Sequence, residues 1–299
     1  MLCDNATLRT APIAPSRIDA RYVPMSDDQR MTAFVAPAEL GAKIKSGAKL
    51  AVPPDGSGAS IGLTKFIIDN GAKGLHLVCA PVGGLQVDML IGAGLVSTIE
   101  TSAVSLGEAG GTPSFTRAIK SQTIRIMDGT CPAMLTGLMA AQKGVPFIPM
   151  RGLIGSDILR TRPDWTVIDN PYEKNDPIVA IPAIRPDVCL FHAPEADCDG
   201  NVRVGRRGEL QLLAYASAIT LVTVERIVEK SLLRDEATAA GVLPSLYVSA
   251  IAEMKNGAWP NALWGEYEHD AAEISRYAAA ARTQAGFESY MNSFAGVLA

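Results

Sequence analysis

Residues 49–70 read KLAVPPDGSGASIGLTKFIIDN: an apolar run, a glycine turn and a helical pattern in direct succession. Residues 49–52 predict a short buried strand, and Pro53-Pro54 stops it because proline cannot donate to a sheet ladder. Asp55-Gly56-Ser57-Gly58 then allows a turn with positive φ and lets a ligand come close to bare amides. Apolar residues follow at helical spacing (Ile61, Leu63, Phe66, Ile67), and Asn70-Gly71 supplies the stop. Strand, turn and helix together aim unpaired N–H groups and a positive dipole end at one point. The expected guest is an anion, or an oxygen becoming one.

Outward from this stretch the alternation continues. Strand-like runs occupy 75–79, 98–105, 124–127, 145–148, 188–192 and 219–224, with helical patterns at 85–94, 113–119, 134–143 and 208–217. Short apolar strands separated by helices predict an α/β fold, with a largely parallel sheet covered by helices on both faces. Residues 160–186, richer in Pro, Asp and Asn, predict a long excursion, and from Asp270 the pattern turns helical through Tyr290 with Gly286 between two pieces. Residues 1–34 predict a flexible N-terminal extension and 35–299 the folded domain with its C-terminal helices. Ligands gather at the carboxyl ends of strands in such sheets. That rule selects five glycine-bearing loops, at 53–58, 80–84, 106–111, 128–132 and 193–201.

Composition narrows the classes. The 299 residues are 48% hydrophobic and 19% charged, which excludes a disordered chain. A net charge of −4 with no basic stripe argues against nucleic-acid binding. No apolar stretch approaches the roughly 18–20 residues that cross a bilayer, and residues 1–30 lack the apolar core of a signal peptide. The expected setting is the cytoplasm. Five scattered cysteines without a Cys-x-x-Cys pair predict reduced thiols, with Cys79 and Cys189 acting as small core hydrophobes. Cys189, His192 and Cys198 do not predict a metal site, because positions three apart in a strand point to opposite faces.

Glu108 stands out among groups capable of chemistry. It lies in Leu106-Gly107-Glu108-Ala109-Gly110-Gly111, so a carboxylate among small neighbours projects from a tight turn at the ligand edge. It is either a solvated turn residue or a base or nucleophile that partial desolvation would strengthen. Arg203, Arg206 and Arg207 read as a solvated cluster or as a phosphate grip. His192 reads as a structural histidine or a proton carrier. The triplets Gly155-Ser156-Asp157 and Asp199-Gly200-Asn201 read as turns and caps. Trp259, Trp264 and Tyr267 read as packing or as an acyl-pocket lining. No Gly-x-Ser-x-Gly elbow, Walker loop or His-Glu-x-x-His occurs.

Taken together, Val52–Gly62, SLGEAGGTPSFTR at 105–117 and GLMAAQKGVPFIPMRGLIGSD at 137–157 resemble the A (alpha) subunit of family I coenzyme A transferases, in the glutaconate CoA-transferase A-type branch. Further matches are Arg185-Pro186-Asp187 leading to His192-Ala193, the turn at 196–202, and Gly257-Ala258-Trp259-Pro260 followed by Tyr267. The resemblance runs from about Val35 to Phe294. It implies a CoA-transferase-like fold and a CoA thioester as substrate, with no bound cofactor. It also implies a companion B (beta) subunit that shares the active site, carries the nucleophilic glutamate and builds a heterotetramer or larger assembly. Glu108 then matches the A-side Gly-Glu loop, and Gly56, Ser57, Gly58, Gly83, Gly84, Gly107, Gly110, Gly111 and Arg151 are the expected CoA- or substrate-binding positions. Some relatives in this branch hydrolyse cyclic or β-keto acyl-CoA thioesters with an A-side glutamate in a leading part, a role Glu108 also fits. A ligand-sensing module without catalysis is the remaining reading; residues 1–35 show no helix-turn-helix pattern to support it.

Overall fold

Alternate residues of the central strands face opposite layers, and both layers are apolar. Leu50 and Val52 join one buried cluster while Ala51 joins another; Leu77 and Cys79 divide from Val78 in the same way, and Leu190 from Cys189 and Phe191. A sheet buried on both faces needs helices on both, which is what the computed structural model has. It describes residues 32–294.

In chain order the first half comprises β1 (Ala33–Phe34), α1 (Pro37–Ala42), β2 (Lys49–Val52), α2 (Ile61–Asn70), β3 (Leu75–Cys79), β4 (Val82–Gly83), α3 (Leu85–Gly92), β5 (Val96–Thr101), β6 (Ala103–Val104), α4 (Pro113–Lys120), β7 (Arg125–Asp128) and α5 (Cys131–Gln142). Then come β8 (Phe147–Met150), α6 (Ile158–Thr161), β9 (Thr166–Asp169), β10 (Pro177–Pro182), β11 (Val188–Asp197), β12 (Val202–Arg203), α7 (Gly208–Ala216), β13 (Ile219–Val228), α8 (Glu236–Ala239), β14 (Val242–Leu243), β15 (Ala250–Glu253), α9 (Ala271–Ala280) and α10 (Gln284–Phe294). Among the described residues no helix is long and apolar enough to cross a membrane.

The main sheet runs β1-β15-β13-β11-β2-β3-β5-β7, with β12 and β14 added beside β11. Every pair along that path is parallel. The chain winds outward from β2 in one direction and from β11 in the other, so strand order reverses between these two. Ligands of doubly wound sheets sit outside the carboxyl ends at such a point. The glycine turn at 55–58 follows β2 there, and the His192 N–H donates to the Gly58 carbonyl at 2.6 Å.

Helices α1, α2 and α3 cover one face through Leu40, Leu63, Ile67, Val87 and Leu90. On the other face lie α5 and α7, through Met134, Leu138, Leu210 and Leu213. All eight residues of α3 are buried, because α9 and α10 close over it with Tyr277, Phe287, Tyr290 and Phe294. Buried Asp88 binds these helices together by accepting the Ser114 and Phe115 N–H groups at 3.1 and 2.7 Å and the Tyr277 hydroxyl at 2.7 Å.

Several expectations need correcting. The predicted strand at 98–105 breaks at Ser102: β5 stays in the main sheet, while β6 leaves it to pair in parallel with β4. The run at 145–148 does not enter the main sheet. It becomes β8, an edge strand of a separate antiparallel sheet in the order β8-β10-β9. Pro149 lies within it, and a central strand does not tolerate a proline. The excursion at 160–186 supplies the other two strands of that sheet. β11 continues through the loop expected at 193–201 as far as Asp197; Pro194 is tolerated because β2 pairs only with Val188 and Cys189, which leaves that side of β11 open. Gly286 lies inside α10, not between the helices, and a Cβ there would stand 2.1 Å from the Ala280 carbonyl. Its function is close approach. The extension expected at 1–34 lies outside the described residues apart from 32–34, of which Ala33 and Phe34 pair with β15 as β1.

Candidate active site

The β4–β6 ribbon stands over the carboxyl edge of the sheet and sets the position of two glycine loops. The Ser105 N–H donates to the Gly83 carbonyl at 3.0 Å, and the Ser102 N–H to the Pro81 carbonyl at 3.1 Å. Beyond the ribbon, buried Leu106 anchors a single 3₁₀ turn over Gly107–Ala109, closed by the Leu106 N–H on the Gly110 carbonyl at 3.2 Å. Gly107 and Gly110 have φ of 60° and 92°, conformations that side chains rarely adopt. Glu108 rides on this turn and is exposed.

These loops enclose a cavity of about 760 Å³, lined by Asp55, Gly56, Gly83, Gly84, Gly107 and Glu108 among others. Three of the five selected loops therefore converge, those at 53–58, 80–84 and 106–111. The loop at 128–132 does not: Arg162 donates to the Asp128 carbonyl at 3.0 Å, and Thr130 caps α5 by accepting the Ala133 N–H. A wall that sequence reasoning missed comes from Asn261, Ala262, His269, Ile274 and Ser275. The one signal for it was the Asp270 cap, whose carboxylate accepts the Glu273 N–H at 2.9 Å and starts α9 beside the glutamate turn.

Asp55 is half-buried in this cavity, and both its oxygens accept the Leu85 N–H, at 3.0 and 2.9 Å. Burial pushes its pKa up to about 6, against the downward pull of the Leu85 amide and the Asn261 side chain.

The other expected positions scatter. Ser57 is bonded to Glu209, which ties the turn to the start of α7. Gly58, at φ 83°, sits so close under β11 that a Cβ would fall 2.2 Å from the His192 carbonyl. Gly110 and Gly111 shape the Glu108 turn without lining the cavity. Arg151 lies past β8, fork to fork with Asp176, away from the cavity lining.

His192 is fully buried and bonded on both nitrogens, to Thr223 Oγ1 at 2.9 Å and Glu225 Oε1 at 2.7 Å. Burial lowers its pKa against the pull of Glu225. Burial pushes Glu225 the other way, but bonds from His192 and the Asn256 N–H hold it below the usual range. A neutral imidazole beside a carboxylate donates from Nε2, so Nδ1 accepts from Thr223. The Tyr267 hydroxyl donates to the same Glu225 oxygen at 2.8 Å. His192 thus holds the strand ends in place.

The basic cluster divides. Arg203 pairs with Glu195 at 3.0 Å, Arg206 is exposed, and Arg207 lies 3.6 Å over the Trp264 ring. Trp259 stacks on Phe294 at 5.9 Å, whereas Trp264 and Tyr267 line a second cavity of about 310 Å³. Of the cysteines, burial pushes the Cys79 and Cys189 thiols up to about 12 and 11, which leaves them unreactive.

A family model described as coenzyme A transferase matches residues 35–254. The chain belongs to the coenzyme A transferase family. Within it, the chain is 29% identical over 232 residues to the A chain of 3-oxoadipate CoA-transferase from Pseudomonas knackmussii, covering 76% of this chain and 80% of that one. It is 27% identical over 227 residues to the cholesterol ring-cleaving hydrolase IpdA subunit of Rhodococcus jostii, covering 73% and 77%. The solved structure of glutaconate coenzyme A-transferase from Acidaminococcus fermentans superposes with a TM-score of 0.81 at 23% identity, over 89% of this chain and 90% of that one. At that identity the likeness establishes the CoA-transferase fold.

Proposed function

We propose that the chain is the A subunit of a two-chain CoA-transferase, which moves CoA between an acyl-CoA thioester and a carboxylic acid at a site shared with a B subunit. The observation that carries this reading is Glu108, an exposed carboxylate on a glycine turn lining a cavity of about 760 Å³ to which Gly56, Gly83, Gly84 and Gly107 also contribute. In the proposed reaction a B-chain glutamate attacks the thioester carbonyl, forming a mixed anhydride and releasing CoA thiolate. The thiolate attacks the glutamyl carbonyl of the anhydride, expelling the donor as its carboxylate and leaving an enzyme glutamyl thioester; the incoming carboxylate runs the two steps in reverse, leaving with the CoA as a new thioester and freeing the glutamate. Amides of the glycine loops face the developing oxyanions, and such donors are worth about 2.7–4 kcal/mol each in a comparable hydrolase. Glu108 positions the substrate from the A side.

The test is reconstitution. The purified chain is expected to be inactive alone and to gain CoA-transfer activity with its B chain. Full turnover by the isolated chain would overturn the proposal.

The likeness to a hydrolase subunit supports a second reading, hydrolysis of a CoA thioester with Glu108 as base or nucleophile. Hydroxylamine or borohydride trapping separates the two. A transferase yields a modified B-chain glutamate, whereas a hydrolase using water directly yields no enzyme-CoA thioester.

A further inference from the structure

On the transferase reading the larger cavity admits an acid as its carboxylate, yet the cavity is itself acidic. Asp55 and Glu108 line it with a single histidine, His269, and among the described residues no lysine or arginine joins them. A third negative charge favours the loss of one of the two already present, and the surroundings decide which. Glu108 is exposed, so water serves its ionised form.

Asp55 is poorly provided for as an anion. Its two oxygens share one backbone donor, the Leu85 N–H, at 3.0 and 2.9 Å, whereas an ionised carboxylate offers about four acceptor positions. Its carboxyl packs against the Gly84 backbone, where no side chain intervenes. Burial outweighs the pull of Leu85 and Asn261, no cation offsets it, and the pKa stands at about 6. The acids on the elements around it are otherwise engaged. Glu209 is bonded to Ser57 on the same turn, Asp88 on α3 accepts from Ser114, Phe115 and Tyr277, and Cys79 at the end of β3 keeps its proton. Asn261 lines the same cavity, is 4% exposed, and has a buried Nδ2 that no acceptor meets. A protonated Asp55 would stand beside it as a second donor facing the space where an oxygen arrives.

We propose that Asp55 takes up a proton when the acid substrate binds and donates it in a hydrogen bond to one carboxylate oxygen, leaving the other oxygen free to attack. The proton comes from solvent, stays on Asp55 while the acid is bound, and returns to solvent once the acid has left as its thioester. A neutral acid against an ionised one makes the short, charge-assisted bond of a shared-proton pair. The proposal rests on the transferase reading, which supplies the carboxylate, and makes acid affinity a function of pH.

The experiment uses the chain co-expressed with its B subunit. Binding of butyrate, crotonate, succinate and glutarate is measured by calorimetry in buffers of different ionisation enthalpy, each acid corrected for its own titration. Proton uptake should rise from about a quarter of a proton per site at pH 5.5 to nearly one at pH 7.5, and affinity should fall roughly tenfold from pH 6.5 to 7.5. Asp55→Asn keeps a donor for the acid and an acceptor for Leu85, so it should bind without uptake and without this pH dependence. Asp55→Ala should bind about 10–100-fold more weakly at pH 6. Absence of uptake by the wild type, or binding of none of the four acids, overturns the proposal whatever the variants do. Uptake that survives Asp55→Asn also overturns it, and loss of that uptake in His269→Gln would assign the proton to His269. If acids bind with uptake at Asp55 and no CoA is transferred, the transferase reading fails and this site stands; if CoA is transferred without uptake, only this site fails.

Discussion

The Asp55 carboxylate fills the space that a side chain on Gly84 would need: a Cβ there would stand 2.2 Å from Cγ and from both oxygens. Through this contact Asp55 reaches the Leu85 N–H and fastens the turn after β2 to the start of α3. Gly84→Ala should therefore displace a wall of the larger cavity and cost about 1–3 kcal/mol, the range for overpacking. Urea denaturation of the purified variant checks this, and wild-type stability would refute it.

Asp55 also makes stability depend on pH. Its folded pKa of about 6 exceeds the ordinary 3.8, so between those values the folded state binds more protons than the unfolded chain. The sign is then fixed: stability is fully present below about 4 and falls as pH rises through about 6. Each pH unit between the folded and unfolded values corresponds to roughly 1.4 kcal/mol. Asp55→Asn keeps an acceptor for Leu85 and removes the titration. Across pH 4–7, the stability of the variant relative to wild type should rise, as read from urea midpoints; a constant difference would count against it.

Glu108→Gln preserves the shape of the turn and removes the charge. As a general base, Glu108 would lose at least about 10²-fold in kcat on this change. As a positioning group in a transferase it should lose less in kcat and more in KM, which steady-state kinetics of the assembled enzyme resolves.

Arg162, only 1% exposed, pairs with Glu100 at 2.7 Å and with Asp164 at 2.8 Å. Arg162→Ala should cost about 3–5 kcal/mol, because it leaves Glu100, itself 2% exposed, without its closest cation. Chemical denaturation at neutral pH measures the loss. A cost below about 1 kcal/mol would show that Lys49 and His76, at 3.6 and 3.4 Å, compensate.

Much of the architecture was readable in the chain because its central strands are continuously apolar and its turns are marked by glycine. The stretch at 49–70 forms the strand, turn and helix it predicts, at the point where strand order reverses. What escaped was tertiary. The prolines at 146 and 149 did argue against a central place for the run at 145–148, but not for the separate sheet it joins, and no periodicity in TIETSAVS reveals that Ser102 lets the chain leave one sheet for another. Glu108 was visible through its glycine setting. Asn261 and His269 were not, since they reach the cavity only because α9 folds back over α3. Arg207 was visible as one of three arginines, but its pairing with Trp264, 57 positions along, belongs to the fold.

The open position of Glu108 bears on how such an enzyme is made in the cell. On the proposed reading, a newly synthesised chain presents a wet, half-finished rim and carries no nucleophile that could consume its thioester. Premature turnover is thereby avoided without any inhibitor, and the arrival of the second polypeptide acts as the starting switch.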